Sequence, residues 1–173
     1  MLSRIKRILK HRWLDAATTH RAIAPDMLQR LQRRVAASEQ RHSGEIRICV
    51  EAGLPLSYLW RDAPTRQITR QRALAMFGKL RVWDTAHNNG VLIYLLLAER
   101  SIELVADRGL SQLVEPQVWQ AIAARMRNAF QQGHFEDGLT QALEEVSALL
   151  IQHFPLRAGE ANPNELPDAP ILN

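Results

Sequence analysis

The chain has 173 residues, of which 46% are hydrophobic and 23% are charged, and this composition is typical of a folded protein. Its length favours one domain with short terminal segments, because domains commonly contain about 100–150 residues. No apolar stretch approaches the roughly 20 residues that a membrane-spanning helix needs. The basic N-terminus has no apolar segment or cleavage site of a secretory signal behind it, and Cys49 is the only cysteine. We therefore expect a cytoplasmic protein.

The formal net charge of +4 comes mainly from arginine, and several arginines crowd one stretch of the chain: Arg61, Arg66, Arg70, Arg72 and Arg81. Such a cluster can attract anionic partners, although a solvated helix face is the simpler interpretation. Aromatic residues do not alternate with these arginines, as they do on surfaces that stack single-stranded nucleic acid. We therefore expect no nucleic-acid partner.

The N-terminal segment, residues 1–22, has apolar residues at helical spacing, with basic residues between them: Leu2, Ile5, Leu9 and Trp13. This pattern predicts a short basic amphipathic helix. Such a helix either docks on its own domain or contacts an anionic surface. Weak contact with an anionic membrane is therefore one hypothesis for this segment.

Residues 23–155 have the pattern of one folded domain, and its first half contains two helices and a strand. Pro25 suits a first helical turn, and an apolar stripe follows it as far as Ser43. Residues 45–51 alternate in polarity, which predicts a strand. A connection over residues 52–64 then leads to a helix over residues 65–80.

The second half of the domain predicts a hairpin followed by two helices. Residues 91–98 are apolar on both faces, as a strand between two helix layers should be, and residues 102–106 return in a tight hairpin. Helices are predicted to begin at Pro116 and near Phe135. This order indicates an α/β fold, an α/β/α sandwich with a small mixed β-sheet, whose first two strands are parallel and joined by a right-handed crossover.

The last segment, residues 156–173, is predicted to be a flexible, proline-rich tail. It contains Pro163, Pro167 and Pro170 among acidic residues and has few apolar side chains. Such a composition does not form a core by itself.

Oxygen-bearing side chains are predicted to converge at one edge of the sheet. The parallel pair places the polar loop before Val91 near the start of residues 45–51, and the hairpin returns the chain to the same edge. The side chains expected there are Asp84, Asn88, Asn89, Asp107 and Glu45. Carboxylate, amide and carbonyl oxygens are the ligands of Ca²⁺ and Mg²⁺. The sequence therefore predicts a divalent-cation site, with turn capping as the alternative role of these residues.

The motifs of covalent phosphatases are absent from the sequence. Cys49 lies in a predicted strand without the arginine that closes a cysteine-phosphatase loop, and the segment after Asp15 has no second aspartate. The histidines show no spacing typical of a zinc enzyme. His87, in the polar loop, is the one histidine placed to act as a ligand or general acid, and the catalytic residues stay unassigned.

The chain resembles the TPM-domain family in three segments. Residues 88–109 resemble the central hairpin of that family, residues 43–46 resemble its first strand, and residues 130–139 resemble its helix-turn-helix. The resemblance extends roughly over residues 28–155. Residues 164–168 are similar to a soluble proteobacterial branch that lacks the signal peptide and the membrane anchor of secreted members.

The resemblance implies the TPM-domain fold and two hypotheses for function, because family members are described as phosphatases, as metal-binding proteins or as accessory factors for membrane-protein assembly and repair. The first hypothesis is a non-catalytic accessory or interaction module that binds a divalent cation. The second is a metal-dependent phosphoester hydrolase, in which Asp84 and Asp107 hold the ion and an ion-bound water attacks. Membrane-anchored TPM-domain proteins are the partners that the family association suggests.

Overall fold

The computed structural model describes residues 7–11, 16–157 and 159–173. Its helices are α1 (Ala16–Ala22), α2 (Pro25–Glu39), α3 (Leu56–Leu59), α4 (Thr65–Lys79), α5 (Arg108–Ser111), α6 (Pro116–Gln131) and α7 (Phe135–His153). Its strands are β1 (Ile46–Glu51), β2 (Val91–Leu96), β3 (Ser101–Ala106) and β4 (Ile171–Leu172). Residues 7–11 are also helical. Within these described ranges no helix is both long and apolar enough to cross a membrane.

The sheet is mixed and has the strand order β3-β2-β1-β4. β1 is parallel to β2 and to β4, whereas β2 and β3 form an antiparallel hairpin. Val91, at the start of β2, lies between Ile46 at the start of β1 and Ala106 at the end of β3. The prediction of an α/β fold with a mixed sheet is confirmed. The loop before β2 and the end of the hairpin lie next to each other at one end of the strands.

Helices cover both faces of the central strands, so β1 and β2 are buried at every position. One face packs with α2, α6 and α7, through Ile46, Ile48, Val50, Ile93 and Leu95. The other face packs with α4 and the loops beside it, through Cys49, Leu92, Tyr94 and Leu96. The alternating polarity of β1 therefore does not mark a solvent-exposed face, because even Arg47 and Glu51 are buried.

The hairpin differs in detail from the tight turn predicted by the sequence. β2 ends at Leu96, and a 3₁₀ turn over Leu97–Glu99 connects it to β3. Arg100 then adopts a left-handed conformation with φ of 47°. This turn lets Ala98 N–H donate to the carbonyl of Ala52, 2.9 Å away. The connection after β1 also contains a short helix, α3, whose Leu59 is buried.

The C-terminal segment differs from the predicted flexible tail over residues 156–173. β4 pairs with β1, with Cys49 opposite Ile171. Leu166 is only 8% exposed and joins the core on the α4 side. The Glu45 carboxylate accepts hydrogen bonds from the main-chain N–H groups of Glu165 and Leu166, at 3.2 and 3.1 Å. The segment has few apolar residues, but these residues lie against β1 and the core. Composition alone does not show where the apolar residues of a segment pack.

The described part of the N-terminal segment docks on its own domain. Arg7 is buried, and its guanidinium donates to the carbonyl oxygens of Leu59 and Arg61, at 2.7 and 2.6 Å. His11 accepts a hydrogen bond from Leu54 N–H at 2.9 Å. The predicted amphipathic stripe falls mostly outside the described residues, at Leu2, Ile5 and Trp13.

We expect Leu166→Ala to destabilise the domain by about 2 kcal/mol, because the substitution leaves a cavity under the C-terminal segment. For a chain of this length that loss corresponds to a melting temperature lower by roughly 4–8 °C. Leu56→Ala is the matched control, since Leu56 is 68% exposed. Thermal unfolding followed by circular dichroism measures both variants, and equal melting temperatures would show that the segment adds nothing to the core.

Candidate metal centre

The loop before β2 and the start of α5 are held together by main-chain hydrogen bonds. Asp107 N–H donates to the Gly90 carbonyl, and Gly109 N–H donates to the Asn88 carbonyl, both at 2.8 Å. These bonds continue the β2–β3 ladder beyond the strands. Asn88, which has φ of 52°, and Asn89 therefore lie opposite the residues around Asp107.

Glycine is required at two positions of this junction, because the main chain of another segment closely approaches each of them. A Cβ at Gly109 would lie 2.5 Å from the Asn88 carbonyl oxygen and 2.6 Å from that of His87. A Cβ at Gly90 would lie 2.0 Å from the Val82 carbonyl oxygen. These distances are shorter than any real contact of a Cβ atom. A side chain at Gly109 would therefore force α5 away from the loop, and one at Gly90 would force the start of β2 away from Val82.

Two side chains at this junction present buried oxygens that lack a donor. Asp107 is 8% exposed, and its Oδ1 accepts the first N–H of α5, from Arg108, at 2.7 Å. Asn89 is fully buried, and its Nδ2 donates to the Ser43 carbonyl at 3.1 Å. The remaining oxygens, Asp107 Oδ2 and Asn89 Oδ1, have no hydrogen-bond partner among the described residues. A buried acceptor without a donor costs about 1–3 kcal/mol, so each of these oxygens calls for a partner such as an ordered water or an ion.

The other three predicted ligands have partners of their own. Asn88 Oδ1 accepts from Arg108 Nε at 3.0 Å. Asp84 is exposed and forms an ion pair with Arg81 on the surface. Glu45 binds the C-terminal segment, and burial raises the pKa of its carboxyl. The main chain of Asn88 and Asn89 thus lies beside that of Asp107, whereas the side chains of Asp84 and Glu45 are engaged elsewhere.

A carboxylate-rich metal cluster is absent from the part of the chain that the structure describes, where no three His, Cys, Asp or Glu side chains are arranged to hold an ion. The candidate centre consists instead of one carboxylate with amide and main-chain oxygens. His87 lies in the same loop, and its side chain is exposed.

The sequence profile of the TPM domain matches residues 19–149, which include β1, the hairpin and the junction described above. This chain belongs to the TPM-domain family. The matched region ends before β4, so the segment that binds Glu45 lies outside it.

Two solved structures are similar to this TPM-domain protein. The NMR structure of the BA42 protein from the psychrophilic bacterium Bizionia argentinensis has a TM-score of 0.72 and 23% identity, over 86% of this chain and 94% of that chain. The solution NMR structure of the N-terminal domain of a protein from P. gingivalis has a TM-score of 0.55 and 22% identity, over 78% and 82%. Likeness at these identities shows the fold alone. Comparison with curated proteins gives no match.

A second polar cluster of the TPM-domain protein is not among the sequence predictions, and it lies under the C-terminal segment. Glu39, at the end of α2, is buried, and its Oε1 accepts Ile46 N–H at 2.9 Å. Its Oε2 and Asp168 Oδ1 are both buried without a hydrogen-bond donor among the described residues. The pKa of Glu39 is raised to about 9, mainly by burial and also by the neighbouring carboxyl groups of Glu45 and Asp168. The folded protein therefore keeps the Glu39 proton at neutral pH, which allows Glu39 to donate to Asp168.

One sequence signal points to this cluster. Leu31 and Val35 form the buried stripe of α2, and Glu39 continues that stripe at the next i, i+4 position. A carboxylate on the apolar stripe of a helix indicates a buried polar contact. Its partner Asp168 is far away in sequence, so the contact itself leaves no periodic pattern.

We expect Glu39→Gln to stabilise the domain increasingly as the pH rises. The pKa of Glu39 is about 9 in the folded protein and 4.5 ordinarily, so the wild type loses stability between those values, where only the unfolded chain releases the proton. Glutamine has no proton to release. The gain in the free energy of unfolding of the variant over wild type should vanish at pH 4, and it should grow by up to about 1.4 kcal/mol per pH unit above pH 4.

Urea unfolding at pH 4, 6 and 8 measures this difference. Glu144→Gln is the control, because the Glu144 side chain is 68% exposed. If wild type and Glu39→Gln lose stability in parallel across this range, Glu39 is ionised in the folded protein and the interpretation is wrong.

Proposed function

We propose that this TPM-domain protein is a non-catalytic accessory or interaction module and that Asp107 and Asn89 hold a divalent cation at the sheet edge. The observation that carries the proposal is the pair of buried oxygens, Asp107 Oδ2 and Asn89 Oδ1, that have no donor among the described residues. Turn capping accounts for Asp107 Oδ1, which binds the N-terminus of α5, but leaves the second oxygen unused. A hard cation such as Ca²⁺ or Mg²⁺ accepts both oxygens as ligands.

A single carboxylate limits the affinity of such a centre. Low charge and few protein ligands favour dissociation constants on the order of 10⁻⁴–10⁻³ M, with water completing the coordination. An ion there would join the loop before β2 to the start of α5, because Asn89 belongs to the loop and Asp107 caps the helix. The role that this arrangement supports best is therefore stabilisation of a surface used for binding.

The hydrolase hypothesis has less support from the geometry. It requires Asp84 and Asp107 to hold one ion, whereas Asp84 forms an exposed ion pair with Arg81. The Glu45 carboxylate accepts two main-chain hydrogen bonds from the C-terminal segment. The proposal keeps the cytoplasm as the location and membrane-anchored TPM-domain proteins as partners, on the basis of the lone Cys49 and the family association.

We expect millimolar Ca²⁺ or Mg²⁺ to raise the melting temperature of the full chain. At tenfold excess over the dissociation constant the gain is about 1.4 kcal/mol, or roughly 3–6 °C at this chain length. Asp107→Asn should abolish most of the shift while leaving the ion-free protein as stable as wild type, because the amide removes a buried charge and keeps the oxygen that caps α5. Differential scanning fluorimetry with chelated and ion-loaded protein measures both effects.

Asp84→Asn is the matched control and should respond to the ions as wild type does, since Asp84 is bound to Arg81 at the surface. Unchanged melting of wild type in both ions would overturn the cation centre. In parallel, a generic phosphoester is supplied with Mg²⁺, Ca²⁺ or Mn²⁺. We expect no turnover. If the wild type hydrolyses the phosphoester in a metal-dependent way and Asp107→Asn does not, the protein is a hydrolase and the proposed non-catalytic function is wrong.

A further inference from the structure

A groove runs along the outer edge of β3, between α4 and α6. Its main part has a volume of about 1010 Å³ and is lined by β3 together with residues of both helices, among them Arg66 and Arg70 of α4 and Trp119 and Arg127 of α6. A second pocket of about 530 Å³ shares Arg66 and Arg127 with it and extends past Ser101. The two cavities together follow most of the length of β3.

The floor of the groove is an edge strand with unpaired main-chain groups. β3 is the last strand of the sheet on this side. The hydrogen bonds of Asp107 to Gly90 and of Gly109 to Asn88 mark alternate pairs of the antiparallel ladder. By that alternation the main-chain groups of Leu104 and Ala106 point away from β2 and into the groove. The contact of Arg70 Nη1 with the Leu104 carbonyl, at 2.6 Å, agrees with this direction.

Part of this edge is available for pairing. Ile102 and Leu104 are 1% and 6% exposed, so their main-chain groups are covered, whereas Ala106 is partly exposed. The Leu104 carbonyl is also occupied by Arg70, so the main-chain groups of Ala106 are the accessible ones. An extended chain of two or three residues is long enough to pair with these groups.

The walls of the groove carry an excess of positive charge. Its acidic side chains are Glu103, which forms an ion pair with Arg70 at 3.3 Å, and Glu99, which binds Lys10 and His11. Arg66 and Arg127 form no hydrogen bond or ion pair with any residue that the structure describes, and both pockets share them. Between these cations the surface is apolar, at Val114, Trp119 and Ala123. A ligand that fits must therefore combine acidic groups with apolar ones.

We propose that this groove binds an extended acidic segment of a partner protein, which adds its main chain to the edge of β3 and places its carboxylates against Arg66 and Arg127. The proposal rests on the function of an interaction module and names the chemistry of its partner. A second copy of this chain fits poorly, because pairing two β3 edges would bring two sets of unpaired arginines together. Single-stranded nucleic acid would find only Trp119 for stacking, whereas free main-chain groups recognise a peptide strand.

The test uses the full chain and a fluorescent eight-residue peptide of alternating glutamate and valine, followed by fluorescence anisotropy at low and physiological salt. We expect micromolar binding that weakens with salt. The same peptide with glutamine in place of glutamate should bind about tenfold more weakly, the loss expected for one or more charge-assisted contacts. A glutamate peptide with proline at alternate positions should also bind weakly, because proline lacks the N–H that pairs with an edge strand.

Arg66→Gln and Arg127→Gln should each weaken the binding of the glutamate peptide by about three- to tenfold. Arg33→Gln removes the same charge from an exposed position of α2 and should bind as wild type does. If the peptide does not bind, or if the three variants behave alike, the groove proposal is overturned. If a uridine oligonucleotide binds more tightly than the peptide and loses affinity in the same arginine variants, the groove binds nucleic acid instead. If the wild type is a dimer and Arg66→Gln is a monomer, the groove binds a second copy of the chain instead.

The failure of this proposal and that of the proposed function can be told apart. Asp107→Asn keeps the groove residues and should bind the peptide in the absence of ions as wild type does. Peptide binding without an ion-induced melting shift would leave the groove standing and remove the cation centre. Metal-dependent hydrolysis with no peptide binding would overturn both.

Discussion

The parallel pairing of β1 with β2 is the constraint on which the rest of the structure depends. Both strands are buried on both faces, so helices must cover the sheet on each side. Because the pair is parallel, with Ile46 opposite Val91, the N-terminal ends of both strands lie at the same end of the sheet. β3 is antiparallel to β2, so its C-terminal end, and with it Asp107, also lies there. The candidate centre is thus a consequence of strand direction, and the open edge of β3 is a consequence of its position at the end of the sheet.

Two buried carboxylates near opposite ends of the central strands, Glu51 and Asp107, differ in how many hydrogen bonds the domain supplies to them. At the end of β1, Glu51 accepts two hydrogen bonds from Arg72, at 2.8 and 2.5 Å, and one from Tyr94 at 2.7 Å. Its charge is therefore compensated within the domain. At the opposite edge, Asp107 Oδ2 has no donor among the described residues. This difference supports the proposal that Asp107 Oδ2 binds a ligand that the domain itself does not supply.

The sequence predicted those features that depend on periodicity and strand direction. Residues 91–98 are apolar on both faces, which indicated a strand between two helix layers, and the strand pairing places the main chain of the loop before β2 beside Asp107. It could not predict that Glu45 would bind the N–H groups of Glu165 and Leu166, because that contact joins residues about 120 positions apart. β4 was missed for a similar reason. A strand of two residues has no repeating pattern, and only its register against β1 gives its apolar side chains a place.

The most direct test is to locate the proposed cation on the protein. Titration of the ¹⁵N-labelled full chain with Ca²⁺ or Mg²⁺, followed by NMR, reports on each amide separately. We predict that the largest shifts occur at the side-chain amide of Asn89 and at the main-chain amides of Gly90, Arg108 and Gly109, which belong to the loop before β2 and the start of α5. Shifts centred on Asp84 or on Glu165, or a spectrum that neither ion changes, would contradict it.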